Sequence, residues 1–354
     1  MSPKYQHICF VALRWLLGAT FIFSGFVKSV DPVGTSIFVE KYLATYSLEA
    51  LLPMALPVAI ALGALELLLG LMVILRAMER YLYSLCFGLM VGFTLITLLS
   101  ATLLPIGDCG CFGNAVMLTP WGTLLKNVVL LGVVYVLWRG RPQRAIFRRD
   151  YIILFAALFV SVGLNLYTLR YLPLIDFLPY KVGTDLRDSV TRERAAEEES
   201  LRNILICCNP QTGELREFDA NDTSWYEWDV VDTRVEGGAT ADMTFSDFRI
   251  YDAAGGEHSL ELLWRDGRVA WLCISDCAKL AGERLKGVER LFAHYPSEQV
   301  VVLSSDDCEA VATKLGVECY AVDAMTLRSM MRAAVGVIVL DDGVVEFKSD
   351  IRDI

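Results

Sequence analysis

The sequence predicts an all-α transmembrane helical bundle of five spans, followed by a soluble α/β domain. Three observations predict it. Five apolar stretches in the first half are long enough to cross a bilayer, which takes about 20 residues of helix. Charge divides the 354 residues sharply: residues 1–172 carry 13 Lys+Arg against 7 Asp+Glu, net +6, and residues 173–354 carry 19 against 35, net −16. The second half also alternates strand and helix patterns, which an α/β domain with a central sheet requires. With 55% hydrophobic residues, mean hydropathy +0.45 and a net charge of −10, the whole chain cannot be disordered, a solvating acidic polymer or an ordinary cytosolic enzyme.

The spans run roughly Ile8–Val27, Ala55–Leu75, Tyr81–Leu104, Trp121–Trp138 and Tyr151–Leu172. They mostly lack the polar face of a soluble core helix. The first is too long for a signal peptide and lacks a small-residue cleavage site, so it is expected as a signal anchor. Basic residues set the orientation. Arg139, Arg141, Arg144, Arg148 and Arg149 lie between the last two spans, Arg76 and Arg80 between the second and third, and Lys4 before the first. All fall on one side, which the positive-inside rule makes cytoplasmic. The N-terminus is then inside. The loop Lys28–Met54, the loop Pro105–Pro120 and the acidic half face outward, toward the periplasm.

The second span carries a carboxylate at its centre, Glu66, in helical register with Gly63 and Gly70. A charge at that depth costs a few kcal/mol on insertion scales, so it should face the bundle interior or a polar cavity. The glycines would let a neighbouring helix approach closely. Two readings stand: a proton-handling acid or polar contact to a quinone-like ligand, and a structural interhelical hydrogen bond from a neutral carboxyl.

The densest chemistry lies after the third span, in Asp108-Cys109-Gly110-Cys111-Phe112-Gly113-Asn114. Two thiols separated by one glycine, on an oxidising face, can close into a small strained disulfide suited to exchange. A closed zinc site wants four ligands, and His7, His258 and His294 are remote in sequence, so no metal is expected. Thr119-Pro120 has the form of an N-cap followed by proline at the first helical position. The helix it starts would point its positive end toward the cysteine loop, and Lys126, two turns in, would add a charge favouring a thiolate. Snorkelling to the interface is the plainer role for Lys126.

Beyond the fifth span and a tether, Pro173–Gly183, an acidic run from Arg192 to Glu199 has the character of a solvated helix. Asn203–Cys208 and Glu214–Phe218, flanking Asn209-Pro210-Gln211-Thr212-Gly213, predict a hairpin. From Phe245 onward the pattern is strand Val269–Ile274, helical Asp276–His294, strand Val300–Ser304, helix Asp306–Leu315, strand Cys319–Val322, helix Ala324–Ala334 and a hairpin Val337–Leu340/Val344–Lys348. Cys308 and Cys319 are expected as core or semi-buried thiols. The expected domains are residues 1–140, 141–183, 184–244 and 245–354. No Gly-rich phosphate loop or basic aromatic surface supports a nucleotide or nucleic-acid partner.

Residues 8–140 resemble the MauE and DoxX families of membrane proteins. The resemblance rests on Phe23-x-Gly25-x-x-Lys28-x-x-Asp31-Pro32, Glu66-x-x-x-Gly70, Cys109-Gly110-Cys111-Phe112-Gly113 and Thr119-Pro120-Trp121 with Lys126-Asn127. It implies a four-helix inner-membrane unit associated with thiol–disulfide chemistry. MauE is linked to maturing a disulfide-rich methylamine dehydrogenase, and some DoxX relatives to quinone-linked sulfur oxidation. Residues 245–354 resemble thioredoxin-like domains. Where that family places Cys-x-x-Cys, this sequence has Asp276-Cys277-Ala278-Lys279-Leu280, and where it places a cis-proline, Ala334-Val335-Gly336. That implies a degenerate docking domain or a monothiol enzyme using Cys277. The whole is similar to DoxX/MauE-plus-thioredoxin-like proteins of the Bacteroidetes type.

Three functions follow as expectations. In the first, Cys109 and Cys111 exchange electrons with an envelope thiol–disulfide partner. In the second, the chain is a quinone-linked oxidoreductase subunit with Glu66 at the quinone. In the third, it is a membrane scaffold whose outer domain binds partners.

Overall fold

The structure is a computed structural model that describes residues 3–103, 113, 115–116, 118–141, 145–236, 245 and 247–354. Cys109, Cys111 and the residues between them lie outside the described residues, as does Arg144. The chain divides into two compact units, Met1–Leu178 and Pro179–Ile354.

The first unit is helical: α1 (Pro3–Val30), α2 (Pro32–Thr45), α3 (Ala55–Leu75), α4 (Glu79–Thr102), α5 (Pro120–Arg139) and α6 (Arg148–Arg170). Five stretches are long and apolar enough to span a membrane: Lys4–Val30, Glu49–Leu75, Glu79–Thr102, Pro120–Arg139 and Arg148–Arg170. Their outward faces are apolar too, with Phe155, Phe159 and Leu125 exposed, a surface stable against lipid and not against water. The interior packs Leu17, Phe21, Leu69, Val73, Tyr83 and Leu137. As Thr119-Pro120 predicts, the Thr119 hydroxyl accepts from the Gly122 N–H at 3.2 Å and proline opens α5.

The expected loop Lys28–Met54 is instead largely helical. Asp31 caps α2, its Oδ1 accepting from the Gly34 N–H at 2.7 Å, with Pro32 at the first turn. A helix of 14 residues is too short to register as a span, so the hydropathy pattern passes over it. The α6 helix ties to α1 through polar contacts. Asn165 Nδ2 donates to Ser29 Oγ and the Thr168 hydroxyl to the Ser29 carbonyl, both at 2.8 Å.

The second unit is α/β. Helix α7 (Leu186–Ser200), capped by Asp185, precedes β1 (Arg202–Cys208), β2 (Leu215–Asp219) and β3 (Asp229–Glu236), an antiparallel sheet in the order β2-β1-β3. Then come β4 (Ile250–Tyr251), α8 (Ser259–Leu263), β5 (Arg268–Ile274), α9 (Glu283–His294), β6 (Val300–Ser304), α10 (Cys308–Leu315), β7 (Cys319–Val322), α11 (Ala324–Met330), β8 (Val335–Asp341) and β9 (Val344–Asp350). Their sheet has the order β4-β7-β6-β5-β8-β9. Strands β5, β6 and β7 run parallel, and β8, β9 and β4 pair antiparallel to their neighbours. The central β5 is apolar along nearly its whole length because both faces are covered: Ala270, Leu272 and Ile274 enter one core with Val302, Val311 and Val337, and Trp271 stacks on Phe248.

One expectation is corrected here. The helical stretch Asp276–His294 is broken: a short 3-10 turn, Cys277–Lys279, is capped by Asp276, and α9 starts only after Gly282, whose φ of +57° suits a residue without Cβ. Cys308 and Cys319, expected as core or semi-buried thiols, stand at disulfide distance from each other, Cα–Cα 5.5 Å. Helix α10 and strand β7 bring them together across 11 residues, a pairing that apolar patterning does not reveal.

Candidate functional site

The close packing of α1 on α3 is built on glycine. A Cβ at Gly25 would lie 2.7 Å from the Leu67 Cα, and one at Gly70 would lie 2.6 Å from the Ile22 nitrogen. Backbone cannot yield as a flexible side chain does, so the helices approach this closely only without those atoms. Gly63 in turn faces Lys28 and Ser29. The carboxylate of Glu66 is thereby brought to the last turn of α1, where Lys28 Nζ donates to Glu66 Oε2 at 2.8 Å and to Ser24 Oγ at 2.7 Å.

Both charges are buried, 3% exposed each. Neither would be tolerable alone in an apolar bundle, and their attraction is strong because little water screens it. Glu66 thus makes its interhelical contact to Lys28, with the geometry of an ion pair. Sequence reasoning had Lys28 only as a motif position. It stands near a span end, where a lysine ordinarily snorkels, and its partner is 38 residues away.

The pair lines a cavity of about 390 Å³. Phe21, Phe38, Leu62, Met90 and Phe93 supply apolar wall, while Ser24, Lys28, Glu66, Thr97 and Asn127 are polar. Asn127 Nδ2 donates to Thr97 Oγ1 at 3.2 Å, which fixes α5 against α4 on that side. Lys126, half-buried on α5, lines the same cavity, so two of the predicted site residues, Glu66 and Lys126, converge there. Helix α2 adds Tyr42 and Tyr46, and the enclosed Tyr46 hydroxyl has no hydrogen-bond partner among the described residues. Size and lining suit an elongated apolar molecule with a polar head.

Where Lys126 stands relative to Cys109 and Cys111 lies outside the described residues. Gly113, two positions after Cys111 in sequence, is described. It is buried with φ +52°, and a Cβ there would sit 2.9 Å from Val27 Cγ1. Val27 immediately precedes Lys28.

In the second unit, Cys277 is half-buried on its 3-10 turn, and its N–H donates to Asp306 Oδ2 at 2.9 Å. It does not open a long helix, so α9 offers it no N-terminal field. Leu280, at the resolving position of the thioredoxin pattern, is fully buried in the core. Burial pushes the Cys273 thiol up to about 12, which makes it inert at neutral pH. Among the described residues no group of three or more His, Cys, Asp or Glu is placed to hold a metal ion.

No curated protein and no solved structure matches the chain. Residues 6–139, which hold the Lys28–Glu66 pair and its cavity, match the family model described as methylamine utilisation protein MauE, and four of the five stretches long and apolar enough to cross a membrane lie in this part of the chain.

Proposed function

We propose that the chain is a membrane thiol–disulfide redox protein of the inner membrane. Its N-terminus is cytoplasmic, and its second unit is a thioredoxin-like domain in the periplasm. Cys109 and Cys111 are the exchanging pair, and an envelope dithiol protein is the partner. The observation that supports the reading is Gly113, two residues after Cys111 in sequence, which packs against Val27, the residue before Lys28. One thiolate of the partner attacks a sulfur of the oxidised pair, and the other cysteine leaves as a thiolate. The partner's second thiolate then closes its own disulfide, so two electrons enter the pair. Lys126, which lines the cavity, is the cation that would favour a thiolate form.

The test is mass-tagged alkylation of thiols in intact cells for the parent, Cys109→Ser and Cys111→Ser. A mixture of redox states that shifts with growth conditions is expected, with a mixed disulfide trapped in Cys111→Ser. A pair always reduced, or always oxidised, sinks the reading.

The cavity favours a second reading, in which it holds an isoprenoid quinone. Its apolar wall fits a prenyl tail, and Lys28, Ser24 and Glu66 offer polar contacts to a carbonyl head. A bound quinone would accept the two electrons of the dithiol. Purified protein should then bleach added ubiquinol-free quinone in a dithiol-dependent manner, and Glu66→Gln should weaken it. Quinone left unreduced by the parent protein rejects that arm alone.

A further inference from the structure

The cavity beside the Lys28–Glu66 pair is walled unevenly. Toward α1 and α5 its lining is buried, at Phe21, Asn127 and Leu130. Toward α3 and α4 it is not: Val58 of α3 is 44% exposed and Ile96 of α4 is 49% exposed, although both line the cavity. Leu48, ahead of α3, lines it as well and is 47% exposed. A residue that faces a cavity and the outside together stands at an opening. The chain path sets two of these residues at one depth. Helices α3 and α4 are joined by the short turn Arg76–Met78, and Val58 and Ile96 each lie 19 residues from Ala77 at its centre. At about 1.5 Å per residue, both stand roughly 27 Å from the turn on neighbouring helices that run in opposite directions. Each lies within a stretch apolar enough to span a membrane, so an opening between them gives onto lipid tails and not onto water.

We propose that the cavity is loaded sideways from the bilayer, through a portal between α3 and α4 bounded by Val58 and Ile96. Its occupant is a bilayer-dissolved molecule whose head lies among Ser24, Lys28 and Glu66 and whose apolar tail runs out through the portal. This rests on the second reading above, in which that molecule is an isoprenoid quinone. A cavity of about 390 Å³ is the size of a small-ligand pocket, with room for a ring and the first part of a tail. The rest of a long prenyl chain has to leave the protein, and an exit into lipid keeps it out of water. The tail is therefore a determinant of specificity, because a tail-less quinone gains nothing from the portal.

The test uses the full chain purified in detergent and a benzoquinone whose decyl tail ends in a photoreactive diazirine. After irradiation, peptide mass spectrometry should find label on α3 around Val58 and on α4 around Ile96, displaced by unlabelled decylubiquinone. Ile96→Trp narrows the portal. It should weaken binding of decylubiquinone at least about tenfold, the loss expected when about two methylenes leave the apolar wall. Binding of the tail-less ubiquinone head should stay within about twofold of the parent. Leu85→Trp, at an exposed α4 position that does not line the cavity, should leave both quinones unaffected. Displaceable label confined to α1 or α5, or an Ile96→Trp variant that binds both quinones like the parent, overturns the portal and leaves the quinone reading standing. A parent protein that neither binds decylubiquinone nor takes displaceable label overturns the portal and the quinone reading together.

Discussion

Glu66→Gln tests the ion pair at the heart of the membrane unit. The amide keeps the volume of the carboxyl and one acceptor oxygen for Lys28, but it takes away the negative charge that faces this buried amine. Removing one partner of a buried pair costs about 3–5 kcal/mol, and the retained acceptor puts this change near about 3 kcal/mol. For a cooperative unit of this size, each kcal/mol moves the midpoint by about 2–4 °C, so Tm should fall by roughly 6–12 °C. Thermal unfolding of the purified chain in detergent, followed by circular dichroism, reads it directly. Lys28→Met combined with Glu66→Gln leaves no orphaned charge and should regain most of the loss. If Glu66→Gln melts within about 2 °C of the parent, or the double variant is worse than either single one, the pair is not the electrostatic unit described.

Further outcomes follow from other contacts. Gly25→Ala drives a Cβ into the Leu67 backbone and should cost about 1–3 kcal/mol, whereas Gly88→Ala, with nothing within 4 Å, should be neutral or slightly stabilising in the same melts. Asp31→Ala removes the α2 cap and should lower stability by about 1 kcal/mol, seen as earlier unfolding in detergent. Maleimide should modify Cys277 at least about tenfold faster than Cys273 in folded protein, since Cys273 is fully buried and its thiol is held up to about 12; equal rates by peptide mass spectrometry would contradict that burial. His258 hydrogen-bonds Glu261 at 2.7 Å and Asp252 at 3.0 Å, and these raise its pKa above 6.5. Stability from this pair of contacts is complete below pH 6.5 and is lost as pH climbs through the raised value. Denaturant midpoints of the second unit should therefore fall across that window, and His258→Gln should flatten the fall.

The spans were legible because a helix in lipid needs no polar face, so runs of about 20 apolar residues stand out without knowledge of their neighbours. Thr119-Pro120 was equally plain, because a cap is a local hydrogen bond. Asp31-Pro32 is the same signal before α2, hidden by a segment too short for a span. What sequence could not supply was pairing at a distance. Lys28 and Glu66 are 38 residues apart and meet only because Gly25, Gly63 and Gly70 let two helices touch. Cys308 and Cys319 carry no motif at their spacing, and only the placement of α10 against β7 joins them. The broken start of α9 turned on Gly282, one residue within an otherwise helical pattern.

The Lys28–Glu66 pair also bears on how the protein is made. Synthesis runs from the N-terminus at about 5–20 residues per second, so the 38 residues between the two take roughly 2–8 s to emerge. During that interval the first span must carry its lysine without the carboxylate. The ammonium can remain at the wet membrane boundary, since Lys28 lies only two residues from the end of α1. Arrival of the second span then draws it inward. The glycine seam and the ion pair thus form late and together, and a nascent chain arrested between these two spans should still expose the Lys28 amine to water-soluble acylating reagents.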